Sequence, residues 1–354
     1  MSRFVQLHLL TSYPPANLNR DDLGRPKTAM MGGEPRLRVS SQSLKRAWRT
    51  SDVFAEGLKG HVGTRTKEMG VKVFNVLQEK GIAQKDATAW AKAIAEQFGK
   101  SKKASSTNEN QELEIEQLAH FSPEEEKAIA DLVDQLVARN SGPKDPELDL
   151  LRKRHTAADI ALFGRMLAAK PAYSSEAAAQ VAHAISVHSV VVEDDYFTAV
   201  DDLNLTGDDS GAAHLGETEF AAGLFYLYLC IDKELLKENL SGDEELANQT
   251  LTALIEAAAT VAPTGKQNSF ASRARASYML CETGNQQPRS LSVAFLKPVT
   301  MGNMLTTARK RLEDTITNMD QAYGVCADQR RHFFATDEGA EGSLAEVIQC
   351  AKEA

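Results

Sequence analysis

Apolar and polar residues alternate at the start of the chain. Val5, Leu7 and Leu9 fall on one side of the stretch FVQLHLL, and Gln6 and His8 fall on the other. A period of two is typical of a β-strand with one buried face. We therefore predict that the chain opens with a strand.

The alternation then stops. Residues 13–35 contain four prolines and three glycines, which is too many for regular structure, so this segment is predicted to be a long loop. Long ordered loops are often functional. A short extended piece at 36–39 leads into Ser40 and Ser41, either of which can cap a helix with the sequence SQSLKRAWR.

Helical periodicity dominates from about residue 51 to residue 180, where Ala, Glu and Lys are frequent. A polar break at 99–112 and the turn RNSGPKDPE interrupt it. Between them, PEEEKAIADLVDQLVA starts with a proline and acids and continues with a helical apolar period. This block is predicted to be a helical insertion.

Strand character returns at 181–192 and at 220–231. The stretch between them is acidic, rich in turn residues and too long for a tight hairpin, so we expect it to project. The helix DEELANQTLTALIEAAATVAP, ended by Pro263, follows, and then come the strands RARASYMLC and RSLSVAFLK and the helix MLTTARKRLEDTITNM. This order predicts an α+β fold, with a small antiparallel sheet that carries insertions.

The composition of the 354 residues, 42% hydrophobic and 25% charged, is ordinary for a globular protein. No apolar run reaches the roughly 18 residues that a membrane span needs, and the first residues lack the features of a secretory signal. The four cysteines are far apart and form no C-x-x-C pair, which is typical of reduced, buried thiols. We expect a cytoplasmic location.

Charge is distributed unevenly along the chain. The net charge is −9, yet the first 50 residues carry nine Lys/Arg and three acids, a balance of +6, and the other 304 carry −15. A basic region on an acidic body can bind a polyanion through its local field. The alternative is a basic face that only contacts solvent.

The most specific local pattern lies in the predicted helix. Gln42, Lys45, Arg46 and Arg49 fall on one helical face, whereas the apolar residues of SQSLKRAWR fall on the other. No acid interrupts this stripe, so ion pairs between residues four apart do not account for it. Cations beside a helix N-terminus suit phosphate oxygens. Arg38 and Ser40 extend the set of donors towards the N-terminus.

Two loops add candidates. The 13–35 loop contributes Arg20 and Lys27 beside glycines, which allow a nucleic-acid strand to approach the backbone. In the second, PTGKQ, Lys266 could contact a phosphate, although the loop lacks the full G-x-x-x-x-G-K-[ST] spacing of a nucleotide-binding loop. A plain surface lysine is the alternative for Lys266.

Candidate catalytic groups are sparse. Asp21 and Asp22 could hold a divalent metal for nuclease chemistry, but adjacent acids in a turn are also common caps. The eight histidines are scattered without zinc-ligand spacing, and no Ser/His/Asp or Cys/His grouping carries a local motif. We therefore predict no cofactor and no metal. Taken alone, Met166 and Phe197 would be core residues.

Several motifs together resemble a known family. They are LNRDD (18–22), GG (32–33), RLRVSSQSLKRAWR (36–49), DIALFGRM (159–166), HAIS (183–186), YFTAVDDL (196–203), AHLG (213–216) and GKQ (265–267). In this order they resemble the CasC-type backbone subunit of Cascade, the type I-E CRISPR surveillance complex. The resemblance covers nearly the whole chain and is weakest around 55–150 and after about 275.

The resemblance implies a modified RNA-recognition-type, ferredoxin-like antiparallel sheet as a palm, with a helical fingers insertion and a projecting thumb hairpin. The implied parts are 1–54 for the first part of the palm, with its RNA-binding loop and helix, 55–180 for the fingers, 181–192 for a palm strand, 193–220 for the thumb, and 221–354 for the rest of the palm and the C-terminal helices.

The implied function is non-catalytic. Several copies would stack head to tail along a guide RNA (crRNA) as a helical filament within a ribonucleoprotein complex for antiviral defence. Each thumb would flip out one nucleotide at regular intervals, and the segments between would pair with target DNA. The implied partners are guide RNA, other copies of the chain, other Cascade subunits and, through the guide, target DNA; no membrane is implied.

The resemblance also assigns RNA contacts. On the palm they are Arg20, Lys27, Arg38, Ser40, Gln42, Lys45, Arg46 and Arg49. Met166 would press on a base from the fingers, and Phe197, Thr198, His214 and Leu215 would hold the displaced nucleotide. Lys266 and Gln267 of the GKQ loop complete the set.

Two other function classes stay open. The first is an RNA-guided, metal-dependent ribonuclease subunit in which Asp21 or Asp22 is catalytic. The second is a free-standing regulator that binds duplex DNA. Regular cleavage of complementary RNA in Mg²⁺ would indicate the first class, and an absence of preference for RNA would indicate the second.

Overall fold

The computed structural model describes residues 2–103, 110–199, 214–300, 302–337 and 339–353. The chain forms two compact units. Unit 1 consists of Met1–Val53, Val181–Cys230 and Leu251–Ala354, and unit 2 consists of Phe54–Gln180 and Ile231–Thr250.

The strands of the described residues are β1 (Phe4–Ala16), β2 (Thr28–Met31), β3 (Glu34–Val39), β4 (Thr64–Thr66), β5 (Ala119–Phe121), β6 (Ala179–Val181), β7 (Ala184–Ser186), β8 (Glu193–Ala199), β9 (His214–Asp232), β10 (Ala276–Gly284), β11 (Gln329–Thr336) and β12 (Gly339–Glu341).

The helices are α1 (Ser41–Arg49), α2 (Asp52–Gly57), α3 (Met69–Glu79), α4 (Gln84–Ala95), α5 (Pro123–Arg139), α6 (Ala158–Phe163), α7 (Lys233–Asn239), α8 (Glu244–Thr260), α9 (Gln267–Phe270), α10 (Met304–Tyr323) and α11 (Leu344–Glu353). No helix in the described ranges is both long and apolar enough to cross a membrane.

Ten strands of the described part join one open sheet, whose main path runs β12-β11-β10-β1-β9-β7-β3-β2. The pairs β1·β10, β10·β11, β2·β3, β3·β7 and β7·β9 are all antiparallel. Strands β4 and β5 pair separately. The prediction of an α+β fold with an antiparallel sheet is therefore confirmed at this level.

Unit 1 buries both faces of its sheet, because neighbouring residues in a strand point to opposite sides. On one face, Tyr226 and Tyr278 join a buried cluster with Ala308 and Leu312 of α10. On the other face, Leu227 lies in a small apolar cavity that Leu44 and Trp48 of α1 also line. The amphipathic helix α1 is thus fixed to the sheet by its apolar side.

Unit 2 is helical around its own core. Leu77 of α3, Ile94 of α4 and Leu136 of α5 belong to one buried cluster. Helix α5 begins as predicted: Ser122 accepts a hydrogen bond from the Glu125 N–H, and Glu125 accepts one from the Ser122 N–H. The predicted helix in PEEEKAIADLVDQLVA is confirmed.

The prediction of an irregular 13–35 segment is confirmed for residues 17–27 and was wrong for the parts on either side, which are strands. β1 continues through the exposed Pro14 and Pro15, whose φ suits an extended strand. β2 and β3 form a hairpin that turns at Gly32 and Gly33, with φ of +64° and +82°. Two consecutive positive φ angles match the tight hairpin turn that the twist of paired strands favours. The glycines therefore support regular structure here.

Two other strand predictions also differ from the structure. In RSLSVAFLK, Ser292–Phe295 forms a 3₁₀ turn. Leu291, Phe295 and Val299 all enter the buried cluster against α10, so the apolar period in this segment is four instead of two. The predicted strand 181–192 is reduced to β7 and the end of β6, followed by irregular backbone.

Candidate nucleic-acid interface

Helix α1 presents the predicted polar stripe. Ser40 caps it, with its Oγ accepting a hydrogen bond from the Ser43 N–H at 3.3 Å. Leu44, Ala47 and Trp48 are buried, which leaves Gln42, Lys45, Arg46 and Arg49 on the opposite side. The prediction of this helix and its two faces is confirmed.

Three of the four residues of the stripe are cations. Arg46 is exposed and forms no ion pair with any residue in the described ranges. Lys45 and Arg49 are half-buried, and burial lowers the pKa of the Lys45 ammonium. The first turn of α1 contains no acid. The helix therefore presents cations, two of which, Arg46 and Arg49, lie in its last turn, where the helix dipole favours positive charge.

The predicted loop residues lie beside the start of α1. The Lys27 N–H donates to Asn19 O at 2.8 Å, and the Arg38 N–H donates to Lys27 O at 2.8 Å. Asn19 Oδ1 accepts from the Ser40 N–H at 2.9 Å. This backbone network brings Lys27, Arg38 and Ser40 together although 13 positions separate the first from the last. We call Arg20, Lys27, Arg38, Ser40 and the stripe of α1 the basic surface.

Arg20 and the two acids occupy a turn at the edge of the basic surface. Asp21 Oδ1 accepts hydrogen bonds from the N–H groups of Leu23 and Arg25, both at 2.9 Å. Arg20 forms a β-bridge with Pro26 and is exposed. The Asp21 carboxylate thus stabilises its own turn, and Asp22 is exposed beside it. Among the residues that the structure describes, no three His, Cys, Asp or Glu side chains group around a possible metal position.

Two cations of the first 50 residues bond to other groups of the protein itself. Arg36 is fully buried, and its guanidinium donates to Ser186 O at 3.1 Å and to Phe295 O at 2.9 Å. Arg25 pairs with Glu219 at 3.1 Å. The local charge of +6 therefore overstates what this region offers to a polyanion.

His183, which the sequence suggested only as part of the HAIS motif, contacts the basic surface directly. Its Nδ1 accepts a hydrogen bond from the Ser41 N–H at 2.9 Å, and the imidazole is exposed. Desolvation, and then the charges of Arg38 and Lys27, hold the pKa of His183 below its usual value. The contact joins residues 142 positions apart, which no local pattern could reveal.

The GKQ loop packs beside the start of the 17–27 segment. A Cβ on Gly265 would lie 2.2 Å from Leu18 O, so the approach is open only to glycine. Lys266 Nζ donates to Thr218 Oγ1 at 2.5 Å. When its amide oxygen faces them, Gln267 accepts from the N–H groups of Ser272 and Arg273 at 3.0 and 3.2 Å. Lys266 therefore links the loop to β9, and Gln267 bonds to the backbone that follows its own loop.

The predicted hairpin carries the residues assigned to a displaced nucleotide. Strands β8 and β9 are antiparallel, with Phe197 opposite Gly216, Thr198 opposite Leu215 and Ala199 opposite His214. The Phe197 ring lies against the bare Gly216 backbone and stays 45% exposed. Residues 200–213, which include most of the expected thumb tip, lie outside the described residues.

Met166 lies in unit 2, on the loop that follows α6. Its side chain is 78% exposed, so it is not a core residue. Gly164 has a φ of +77°, and the next residue, Arg165, is buried. The Arg165 guanidinium donates to Glu125 Oε2 at 2.6 Å and to the carbonyls of His120, Arg152 and Tyr173 at 3.0–3.1 Å. The buried Arg165, which these hydrogen bonds hold in place, thus directly precedes the exposed Met166.

The family model described as CT1975-like protein (Cas_CT1975) matches residues 5–352. The chain belongs to this family. Among solved structures it is similar to a chain described as "CRISPR RNA-guided surveillance complex, pre-nicking", with 28% identity, a TM-score of 0.85 and 99% of each chain covered.

A second chain, described as "CRISPR RNA-guided surveillance complex", has the same fold as this CT1975-like chain. The TM-score is 0.62 at 24% identity, over 99% of this chain and 98% of that one. No curated protein sequence matches. Both likenesses cover 99% of this chain.

The residues that the resemblance assigns to RNA contacts are divided between the two units of this CT1975-like fold. Unit 1 brings the basic surface together and adds His183, and it also carries the GKQ loop and the hairpin. Met166 belongs to unit 2. Lys266 and Gln267 already have partners within unit 1, and Arg20 and Arg46 are exposed.

The close packing of the GKQ loop gives a testable expectation. Gly265→Ala places a methyl group against Leu18 O, so the loop must shift, and overpacking of this kind costs about 1–3 kcal/mol. The measurement is the urea midpoint of unfolding. Gly99→Ala is the matched control, because its Cβ would meet Ile115 at an ordinary 3.4 Å. Equal midpoints for the two variants would contradict the close approach.

Proposed function

We propose that the chain is a CasC-type backbone subunit of a type I-E Cascade complex, which binds guide RNA and catalyses no reaction. Several copies bind one guide head to tail, and the guide bases between contacts pair with target DNA. Unit 1 is the RNA-recognition-type palm, unit 2 is the fingers insertion, and β8 with the start of β9 forms the base of the thumb. The complex works in the cytoplasm in antiviral defence.

The observation that carries this proposal is the basic surface. Lys27 and Arg38 lie beside the capped start of α1 and Arg46 lies in its last turn, and none of the three pairs with a carboxylate of a described residue. Cations and backbone N–H groups bind phosphate and ribose oxygens, which are the same in every nucleotide. A surface of this kind holds any guide, and base pairing then selects the target.

The family and the fold support the same reading. The solved chain with a TM-score of 0.85 belongs to an RNA-guided complex, and the likeness covers 99% of both chains. Exposed Met166 and Phe197 suit the unstacking of bases without base selection, since stacking on an apolar side chain is sequence-tolerant. An open helical stack also requires unlike surfaces on the two sides of each copy.

The non-catalytic part of the proposal is favoured by the position of Asp21. Its carboxylate already accepts two backbone hydrogen bonds in its turn, which is the ordinary capping role of an aspartate. The test is to incubate the assembled complex with complementary RNA and Mg²⁺. We expect intact RNA. Regularly spaced products that disappear in Asp21→Ala or Asp22→Ala would establish a ribonuclease instead.

RNA preference is tested on the purified chain co-expressed with a guide and its neighbouring subunits. We expect the guide RNA to copurify and duplex DNA of the same sequence to compete weakly at equal salt. Equal competition by duplex DNA would favour a DNA-binding regulator. A preparation free of RNA would contradict the proposal as a whole.

A further inference from the structure

The hydrogen bond at the start of α1 fixes the protonation state of His183. The Ser41 N–H is a donor, so His183 Nδ1, 2.9 Å away, must hold a lone pair. In a neutral imidazole the proton then resides on Nε2. His183 therefore has one nitrogen committed to the helix and one N–H left to donate.

The surroundings keep this imidazole neutral. The charged groups that act on it are Arg38 on β3 and Lys27 on the adjacent loop, and both disfavour a second positive charge. Protonation at Nδ1 would also break the bond to the Ser41 N–H. His183 directly precedes β7 (Ala184–Ser186), which contains no charged residue and pairs with Arg38 and Val39 of β3.

The imidazole that carries the remaining donor lies beside the basic surface. The imidazole is exposed, and no residue in the described ranges accepts a hydrogen bond from Nε2. Lys27 and Arg38 lie close enough to act on its pKa, and Ser41 N is within hydrogen-bond distance. An anion held by these cations would meet Nε2–H in the same place.

We propose that His183 is a further guide-RNA contact: its Nε2–H donates to a phosphate or ribose oxygen while its Nδ1 caps helix α1. This inference rests on the proposed function and adds a neutral donor to a set of cations. A neutral donor contributes affinity without releasing counterions, so it leaves the salt dependence of binding unchanged. Its contribution is also the same for every guide sequence.

Two substitutions test the roles of the two ring nitrogens of His183 separately. His183→Asn places an amide oxygen near the position of Nδ1 but has no group at Nε2, whereas His183→Gln reaches the position of Nε2 and lacks the near acceptor. We expect His183→Asn to melt like the wild type and to bind guide RNA about three- to tenfold more weakly, as for one lost neutral hydrogen bond. We expect His183→Gln to melt lower but to bind more tightly than His183→Asn.

The matched control is His332→Asn, since His332 lies on β11 and bonds to Glu341 at 3.0 Å. It should leave affinity unchanged. Affinity is measured by filter binding of the full chain at several salt concentrations and between pH 6.5 and 8. We expect parallel salt slopes for wild type and His183→Asn, and a flat pH dependence for the wild type.

The outcomes separate this inference from the proposed function. If the wild type binds no guide RNA, the proposed function fails. If the wild type binds and His183→Asn binds equally well, His183 is a helix cap alone and only this inference fails. Wild-type affinity that rises on acidification, with the rise lost in His183→Asn, would show contact as an imidazolium and would overturn the neutral donor.

Discussion

Charge reversal on the basic surface should cause the largest loss of function. We expect Arg46→Glu to weaken guide binding about tenfold or more, because hydrogen bonds to charged groups contribute about 1.5–3 kcal/mol each. The double variant Lys27→Glu/Arg46→Glu should lose about a hundredfold by the same reasoning. Lys45→Glu and Arg49→Glu should act in the same direction.

The salt dependence identifies what is lost. Each missing phosphate contact should reduce the slope of log affinity against log salt by about 0.7 for single-stranded RNA. The loss should be equal for guides of unrelated sequence. A loss that depends on guide sequence would indicate base contacts and contradict a surface that grips only ribose and phosphate.

A matched control keeps the net charge equal. Lys310 is exposed on α10, and this helix covers the sheet face opposite to α1. Lys310→Glu therefore makes the same change in charge as Arg46→Glu on the other side of unit 1. We expect Lys310→Glu to retain binding. Equal losses in both variants would mean that overall charge, and not the basic surface, holds the RNA.

The largest loss of stability should come from Arg165→Met in unit 2. The Arg165–Glu125 pair is buried on both sides, with side chains 1% and 0% exposed. Methionine would leave the buried Glu125 carboxylate without its cationic partner and three carbonyls without a donor, and breaking a buried pair in this way costs about 3–5 kcal/mol. Urea unfolding of the full chain, followed by circular dichroism, measures the loss.

An exposed ion pair of the same unit provides the comparison. Lys237 and Glu244 lie 2.7 Å apart, with side chains 44% and 51% exposed. Lys237→Met should change the free energy of unfolding by at most about 1 kcal/mol, because solvent screens such pairs. Should Arg165→Met cost no more than Lys237→Met, Arg165 would not be the anchor of the Met166 loop.

The site elements that could be predicted from sequence are those defined by local patterns. In α1 the buried Trp48 and the polar stripe follow from a helical period, and the cap, expected at Ser40 or Ser41, is Ser40 in the structure. The capping box of α5 is equally local. Short-range chemistry decides these features, so the residues nearby are sufficient to recognise them.

Features that depend on distant partners could not be predicted. Arg36 counts towards the positive balance of the first 50 residues, yet it is buried, and its guanidinium donates to the carbonyls of Ser186 and Phe295. His183 and Arg165 gain their roles from residues 142 and 40 positions away. The β2–β3 hairpin was missed because Gly32 and Gly33 resemble a loop until the pairing on either side is known.

The most direct test of the central claim is a cryo-electron microscopy map of the chain assembled with a guide RNA and its companion subunits. The account predicts successive copies along the RNA, with phosphates within hydrogen-bond distance of Lys27, Arg38 and Arg46 in each copy. RNA that instead lies along α10, or an assembly that contains no RNA, would contradict it.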